Sequence, residues 1–230
     1  MKCRLCKSES CSFFGNDGRR NYYRCNSCTF VFVSSSEFIS PAGEKERYRL
    51  HTNTLTDSGY VSYLNSVAGE LHHIPVSRPE VLDYGCGEHA VLTGILQKRG
   101  INTTPYDPLY TILLPASEKK FDIIILCEVI EHFRDIRKEA ALIRKLVKPE
   151  GYILIRTALY REGTDFLSWW YTKDCTHINF FSLPSLQIFG KLVGRKVFYT
   201  NEKNVVILSR EGSANCKGPV FNIHRHVPRK

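Results

Sequence analysis

Three groups of residues in this sequence have types and spacings suited to chemistry. The first is Asp83-x-Gly85-x-Gly87 in "VLDYGCGEHAVL", joined twenty residues further on by Asp107. Glycines that follow an apolar strand let the backbone pass close to a ligand where a side chain would collide. A carboxylate that ends the next strand can accept both hydroxyls of a ribose. The third glycine of a dinucleotide-type loop is replaced by Ala90, and Asp83 sets an anion just ahead of the turn. That combination disfavours a pyrophosphate and suits a cationic ligand.

The second group is Cys3-x-x-Cys6 and Cys25-x-x-Cys28, two pairs separated by eighteen residues. This is the spacing of a structural zinc ribbon, in which four thiolates close a tetrahedral site and leave no position open for chemistry. Cys11, between the pairs, reads as a spare thiol. The third group is His132 together with "LSWWYTKDCTHINFF", residues 167–181. An imidazole poised near neutral pH can take a proton from a hydroxyl, an amine or a carbon acid, so His177 and His132 are candidate catalytic bases. Asp174 could orient a histidine or an acceptor hydroxyl, and Trp169, Trp170 and Tyr171 are a candidate substrate wall or, equally, packing for their own loop.

The elements that hold these residues follow from periodicity. "TDSGYVSYLNSVAGELHHI" has helical apolar spacing behind a Thr56/Asp57 cap. Then come a strand over 81–84, a helix over about 89–99, a strand reaching Asp107, the apolar strand "FDIIILCEV", the helix "RDIRKEAALIRKLVK" and the strand "YILIRTA". Alternating strands and helices predict a parallel sheet covered on both faces. A helix over "SLPSLQIFGKLVG" and a hairpin over "KVFYTNEKNVVIL" complete the sheet with an antiparallel edge. The expected fold class is therefore α/β, a Rossmann-like sheet with a terminal antiparallel hairpin, plus a small amino-terminal ribbon. The expected boundaries are 1–35 for the ribbon, 36–54 for a linker containing Pro41 and Gly43, 55–210 for the main domain and 211–230 for a basic tail. Within the linker, "KERYRLHTN" (45–53) could close over a site, bind an anion or be a solvated connector.

A length of 230 residues and a hydrophobic fraction of 43% suit one sizeable core with an accessory module. No apolar run approaches the roughly 18 residues that cross a bilayer. "MKCRLCKSES" has no apolar stretch after it, so a cytoplasmic location is expected, and nine cysteines need a reason other than disulfides. A net charge of +9 permits a nucleic-acid partner but is equally the charge of an ordinary solvated surface.

"LDYGCGEHAVL" with "YDP" and "FDIIILCEVIEHF" resembles motifs of class I S-adenosylmethionine-dependent methyltransferases, over roughly residues 48–209. The resemblance implies that Asp83, Gly85 and Gly87 contact the methionyl part of S-adenosylmethionine and Asp107 the ribose. It places Cys127 and Glu128 along the cofactor cleft, with Glu131 and His132 just beyond. Between Asp107 and Phe121 the family usually fits a helix and a strand; here only "PLYTILLPASEKK" is present, so the usual adenine-flanking segment is shortened. "CRLC…YYRCNSCTFVFV" ahead of such a domain is similar to the ribbon of bacterial small-molecule methyltransferases, including sugar C-methyltransferases. "CTHINFFS" is similar to their His-Glu-His stretch, with His177 at the candidate base and Thr176 in place of the glutamate. The expectation is a zinc-containing methyltransferase acting on a small-molecule acceptor. Two alternatives stay open: an RNA methyltransferase gripping phosphates with its ribbon, and a cofactor-binding protein without catalysis.

Overall fold

The computed structural model describes residues 1–49, 54–110, 112–114 and 119–212. The ribbon contributes β1 (Cys11–Asn16), β2 (Asn21–Cys25) and β3 (Val31–Val33). Helix α1 (Pro41–Arg49) follows, then α2 (Ser58–Gly69), capped by Asp57, whose side chain accepts from the Tyr60 amide at 2.9 Å. The expected linker thus contains a helix. Its sequence, "PAGEKERYR", buries no side chain, which is why apolar periodicity gave no sign of it.

The sheet is laid down by β4 (Glu80–Tyr84), α3 (Val91–Lys98), β5 (Asn102–Tyr106), β6 (Phe121–Cys127), α4 (Ile136–Leu146) and β7 (Val147–Arg156). After β8 (Asn179–Phe180), which joins the ribbon's sheet instead, it is completed by α5 (Leu183–Leu192), β9 (Lys196–Thr200) and β10 (Val205–Ser209). The six-stranded order is β5-β4-β6-β7-β10-β9, parallel from β5 to β7, with β10 antiparallel to both of its neighbours. Successive residues of the central strands alternate between two apolar layers. Leu82, Ile124, Leu126, Ile153 and Ile155 pack with α4 and α5, whereas Val81, Ile123, Ile125 and Leu154 pack with α2 and α3. Burial on both faces is what makes "IIIL" of β6 continuously apolar.

Between β5 and β6 the described residues hold only a single 3-10 turn, Pro108–Tyr110, and one bridge between Asp107 and Ile112. Residues 111 and 115–118 of the shortened segment, 50–53 of "KERYRLHTN" and 213–230 of the basic tail lie outside the described residues.

The ribbon is not a separate body. Its sheet runs β1-β2-β3-β8, so its last strand comes from far down the chain, pairing Val31 with Phe180 and Phe32 with Asn179. Cys3, Leu5, Phe30 and Phe32 share one apolar cluster with Phe181, Leu186 and Phe189. A module of about thirty residues cannot bury a core unaided, and here it completes one with the main domain.

Candidate active site

A cavity of about 670 Å³ opens at the carboxyl ends of β4, β5 and β6, where a doubly wound sheet binds its ligands. Gly85 and Gly87 form its floor, both in the left-handed region, with φ +78° and +70°. At Gly85 an added Cβ would stand 2.6 Å from Val129 Cγ2. Gly85→Ala should therefore lower stability by about 2–4 kcal/mol, combining left-handed strain with overpacking, as read from a urea unfolding midpoint. An unchanged midpoint would mean that this turn is not held as described.

Asp107 lines the cavity and ties the loop to β5. Its Oδ2 accepts from the Gly87 amide at 3.0 Å and its Oδ1 from the Leu109 amide at 2.9 Å. Burial pushes its carboxyl up against the pull of these amides. Asp83 departs from expectation: it does not line the cavity. Its Oδ2 turns inward to the amide and hydroxyl of Thr93, at 3.1 and 2.8 Å, and so anchors the first turn of α3. Burial raises its carboxyl to about 6. The charge that sequence reasoning assigned to a cationic ligand is used inside the fold.

Cys127 and Glu128 line the cavity at the end of β6, with Glu128 held at φ +52°. A non-glycine residue in this region is strained, and such strain collects at functional sites. Tyr63 Oη donates to Glu128 Oε1 at 2.6 Å, and Arg156 Nε donates to Tyr63 Oη at 3.2 Å. Tyr171 Oη lies 3.0 Å from Glu128 Oε2 and 2.5 Å from Glu131 Oε1. Glu131 is wholly buried; burial and the neighbouring Glu128 push its carboxyl well up. Sequence reasoning missed Tyr63, whose only signal is its place on the core-facing stripe of α2.

Of the two histidines, His132 lines the cavity and His177 stands behind it, with ring centroids 4.8 Å apart. His177 is buried, which lowers its basicity, and its Nδ1 is 2.7 Å from the Tyr171 carbonyl. The order of the two candidates is thereby reversed. Asp174 also lies off the cavity. Burial opposes its ionisation, but bonds from the Thr176 hydroxyl and amide, with His177 and Arg47 near, hold it down at about 2. Trp169, Trp170 and Tyr171 do not line the cavity either. Tyr171 is buried beneath it, Trp169 packs on Phe166, and Trp170 is 66% exposed. Instead α1 closes over the opening with Glu44, Tyr48 and Arg49, the first of them paired with Arg134 at 2.8 Å.

The Sγ atoms of Cys3, Cys6, Cys25 and Cys28 all lie within 4.8 Å of one another. Lys7 and Thr29, each directly after the second cysteine of a pair, take φ +69° and +59°. That turn aims amides at sulfur: those of Leu5 and Cys6 at Cys3, Ser8 at Cys6, and Phe30 at Cys28. Four sulfurs converge, three of them met by backbone amides, and the set fits a tetrahedral zinc.

Residues 60–194, more than half of the chain, match the family model of a methyltransferase domain. The chain belongs to this methyltransferase-domain family. It is similar to the ubiquinone biosynthesis O-methyltransferase of Rickettsia bellii (strain OSU 85-389), 31% identical over 108 residues, which cover 37% of this chain and 45% of that protein. It thus spans about half the length of such curated relatives. The fold is similar to that of a Pyrococcus horikoshii OT3 protein, with a TM-score of 0.53 and 16% identity over 72% of this chain and 99% of that one. It is also similar to 1,6-didemethyltoxoflavin-N1-methyltransferase of Burkholderia thailandensis, solved with S-adenosylhomocysteine bound, with a TM-score of 0.51 and 12% identity over 86% and 99%. Among the described residues no helix is long and apolar enough to cross a membrane.

Proposed function

We propose that this chain methylates a hydroxyl of a small-molecule acceptor, with S-adenosylmethionine in the cavity and a structural zinc in the ribbon. The observation that carries this reading is that Gly87, Asp107, Glu128 and His132 line one cavity. S-adenosylmethionine supplies an electrophilic methyl group on a sulfonium. The glycine loop gives backbone access to its methionyl part, and Asp107 presents a carboxylate to its ribose. Glu128, held by Tyr63, offers negative charge beside a cationic centre. His132 is the side chain placed to draw the proton from the acceptor, and α1 shields the reacting groups from water. An oxygen acceptor accords with the O-methyltransferase relatives.

The RNA reading loses support from the use of basic residues inside the molecule. Arg4 donates to Asn179 Oδ1 and the Phe133 carbonyl, Arg137 to the Leu5 carbonyl, and Arg20 to four carbonyls of the 172–177 loop. These arginines join ribbon to domain, and Arg20, which is buried, is not available to phosphates.

Calorimetry with S-adenosylhomocysteine tests the reading. Saturable binding is expected, and Asp107→Ala should weaken it about 10- to 100-fold, the worth of hydrogen bonds to a charged group. A folded protein that binds none would refute the cofactor site, and unchanged affinity in the variant would remove Asp107 from it.

A further inference from the structure

Glu131, His132 and His177 present one carboxylate oxygen and two imidazole nitrogens that all lie within 4.8 Å of one another. Each ring turns Nδ1 to a backbone carbonyl: His132 to Thr176 at 3.1 Å and His177 to Tyr171 at 2.7 Å. A carbonyl only accepts, so Nδ1 carries the hydrogen in both rings and Nε2 the lone pair. Imidazoles that ligate metals are backed in this way. Glu131 is oriented in turn by Tyr171 Oη at 2.5 Å and Thr157 Oγ1 at 3.2 Å. Among the described residues, no lysine or arginine lies within ion-pair distance of Glu131 or of Glu128, which shares Tyr171 with it. Two carboxylates therefore converge on a place to which no cationic lysine or arginine is paired.

We infer that Glu131, His132 and His177 bind a divalent transition-metal cation, zinc being the best match to two imidazoles and a carboxylate. Three protein ligands leave a coordination position open, the pattern of catalytic zinc sites. His132 is the member that lines the cavity, so the open position is reached from the acceptor's side.

The binding of the cation stands on this geometry alone; its role rests on the methyl-transfer reading above. There it changes the part given to His132: the imidazole holds the cation that acidifies the acceptor, and the base is Glu128. The acceptor hydroxyl ligates the cation and loses its proton, which passes to Glu128 and out to water. The oxygen lone pair then forms a bond to the methyl carbon while the carbon–sulfur bond breaks. Its electron pair stays on sulfur, leaving a methyl ether and S-adenosylhomocysteine.

The test is a titration of the zinc-loaded protein with Co(II). One further equivalent should bind, with weak visible d–d absorption and no sulfur-to-cobalt charge-transfer band. Its affinity should fall at least tenfold in Glu131→Gln and in His177→Ala. X-ray absorption at the cobalt edge of the unsubstituted protein should show a nitrogen and oxygen shell with imidazole scattering, a readout that does not depend on the variants folding. No second equivalent, a shell containing sulfur, or unchanged affinity in both variants would overturn the site. S-adenosylhomocysteine binding is followed in the same samples. Its loss with cobalt bound counts against the methyltransferase reading alone, and its retention without cobalt counts against the metal site alone.

Discussion

Cys28→Ser is expected to release the zinc proposed for the ribbon and, with it, to abolish methyl transfer at a centre the ribbon does not line. Structural zinc contributes roughly 10 kcal/mol or more of apparent binding energy in isolated fingers, comparable with the ~5–15 kcal/mol stability of a whole domain. Here the loss would spread along the sheet. Strand β3 pairs with β8, and the buried Arg20 guanidinium donates to the carbonyls of Thr172, Asp174, Cys175 and His177 at 2.7–3.1 Å. Those contacts fix the loop that carries Tyr171 and His177 behind the cavity. Metal analysis should show the zinc gone, and the thermal midpoint should fall steeply. Full activity in a zinc-free protein would show that the loop holds its place without the ribbon.

His132→Ala is expected to lower turnover by about 10²- to 10⁴-fold, the usual contribution of a group that governs a proton in the transition state. The affinity for S-adenosylhomocysteine should stay within about threefold, because the glycine loop and Asp107 are untouched. His177→Ala should act more weakly in the absence of added metal, since that ring is buried behind His132. The measurement is single-turnover methyl transfer to a hydroxylated acceptor found by screening phenols and catechols. Equal turnover in His132→Ala would remove the imidazole from the chemistry.

The parts of this site that were legible in the sequence are those whose chemistry is local. Gly85, Gly87 and Asp107 sit within one strand–turn–helix–strand unit, and each cysteine pair is a four-residue turn. Strand β6 announced itself because both of its faces are covered. Asp83 misled because its partner, Thr93, lies on the following helix, and nothing in "VLDYGCG" says which way the carboxylate turns. The rank of His177 and His132 was set by contacts between remote segments. His132 sits in a turn after β6, and His177 reaches it only because Arg20 and β3 hold the 172–180 stretch in place. Tyr63 meets Glu128 across 65 positions of chain, and no periodicity marks such a meeting.

The borrowed strand β8 also sets an order of events during synthesis. The four cysteines leave the ribosome within the first 28 residues, so the proposed zinc would be captured early. The open edge of β3 must then wait until residues 179–180 emerge. For most of translation the outer edge of a short apolar strand, Val31–Val33, stands unpaired while its other edge pairs with β2, the kind of edge that invites association between chains. Arg24 on β2 and the polar run "SSSE" just after β3 supply charge and polarity beside it. Expression yield should therefore depend on how quickly the carboxyl-terminal half arrives, and fragments truncated before residue 179 should aggregate even when they hold zinc.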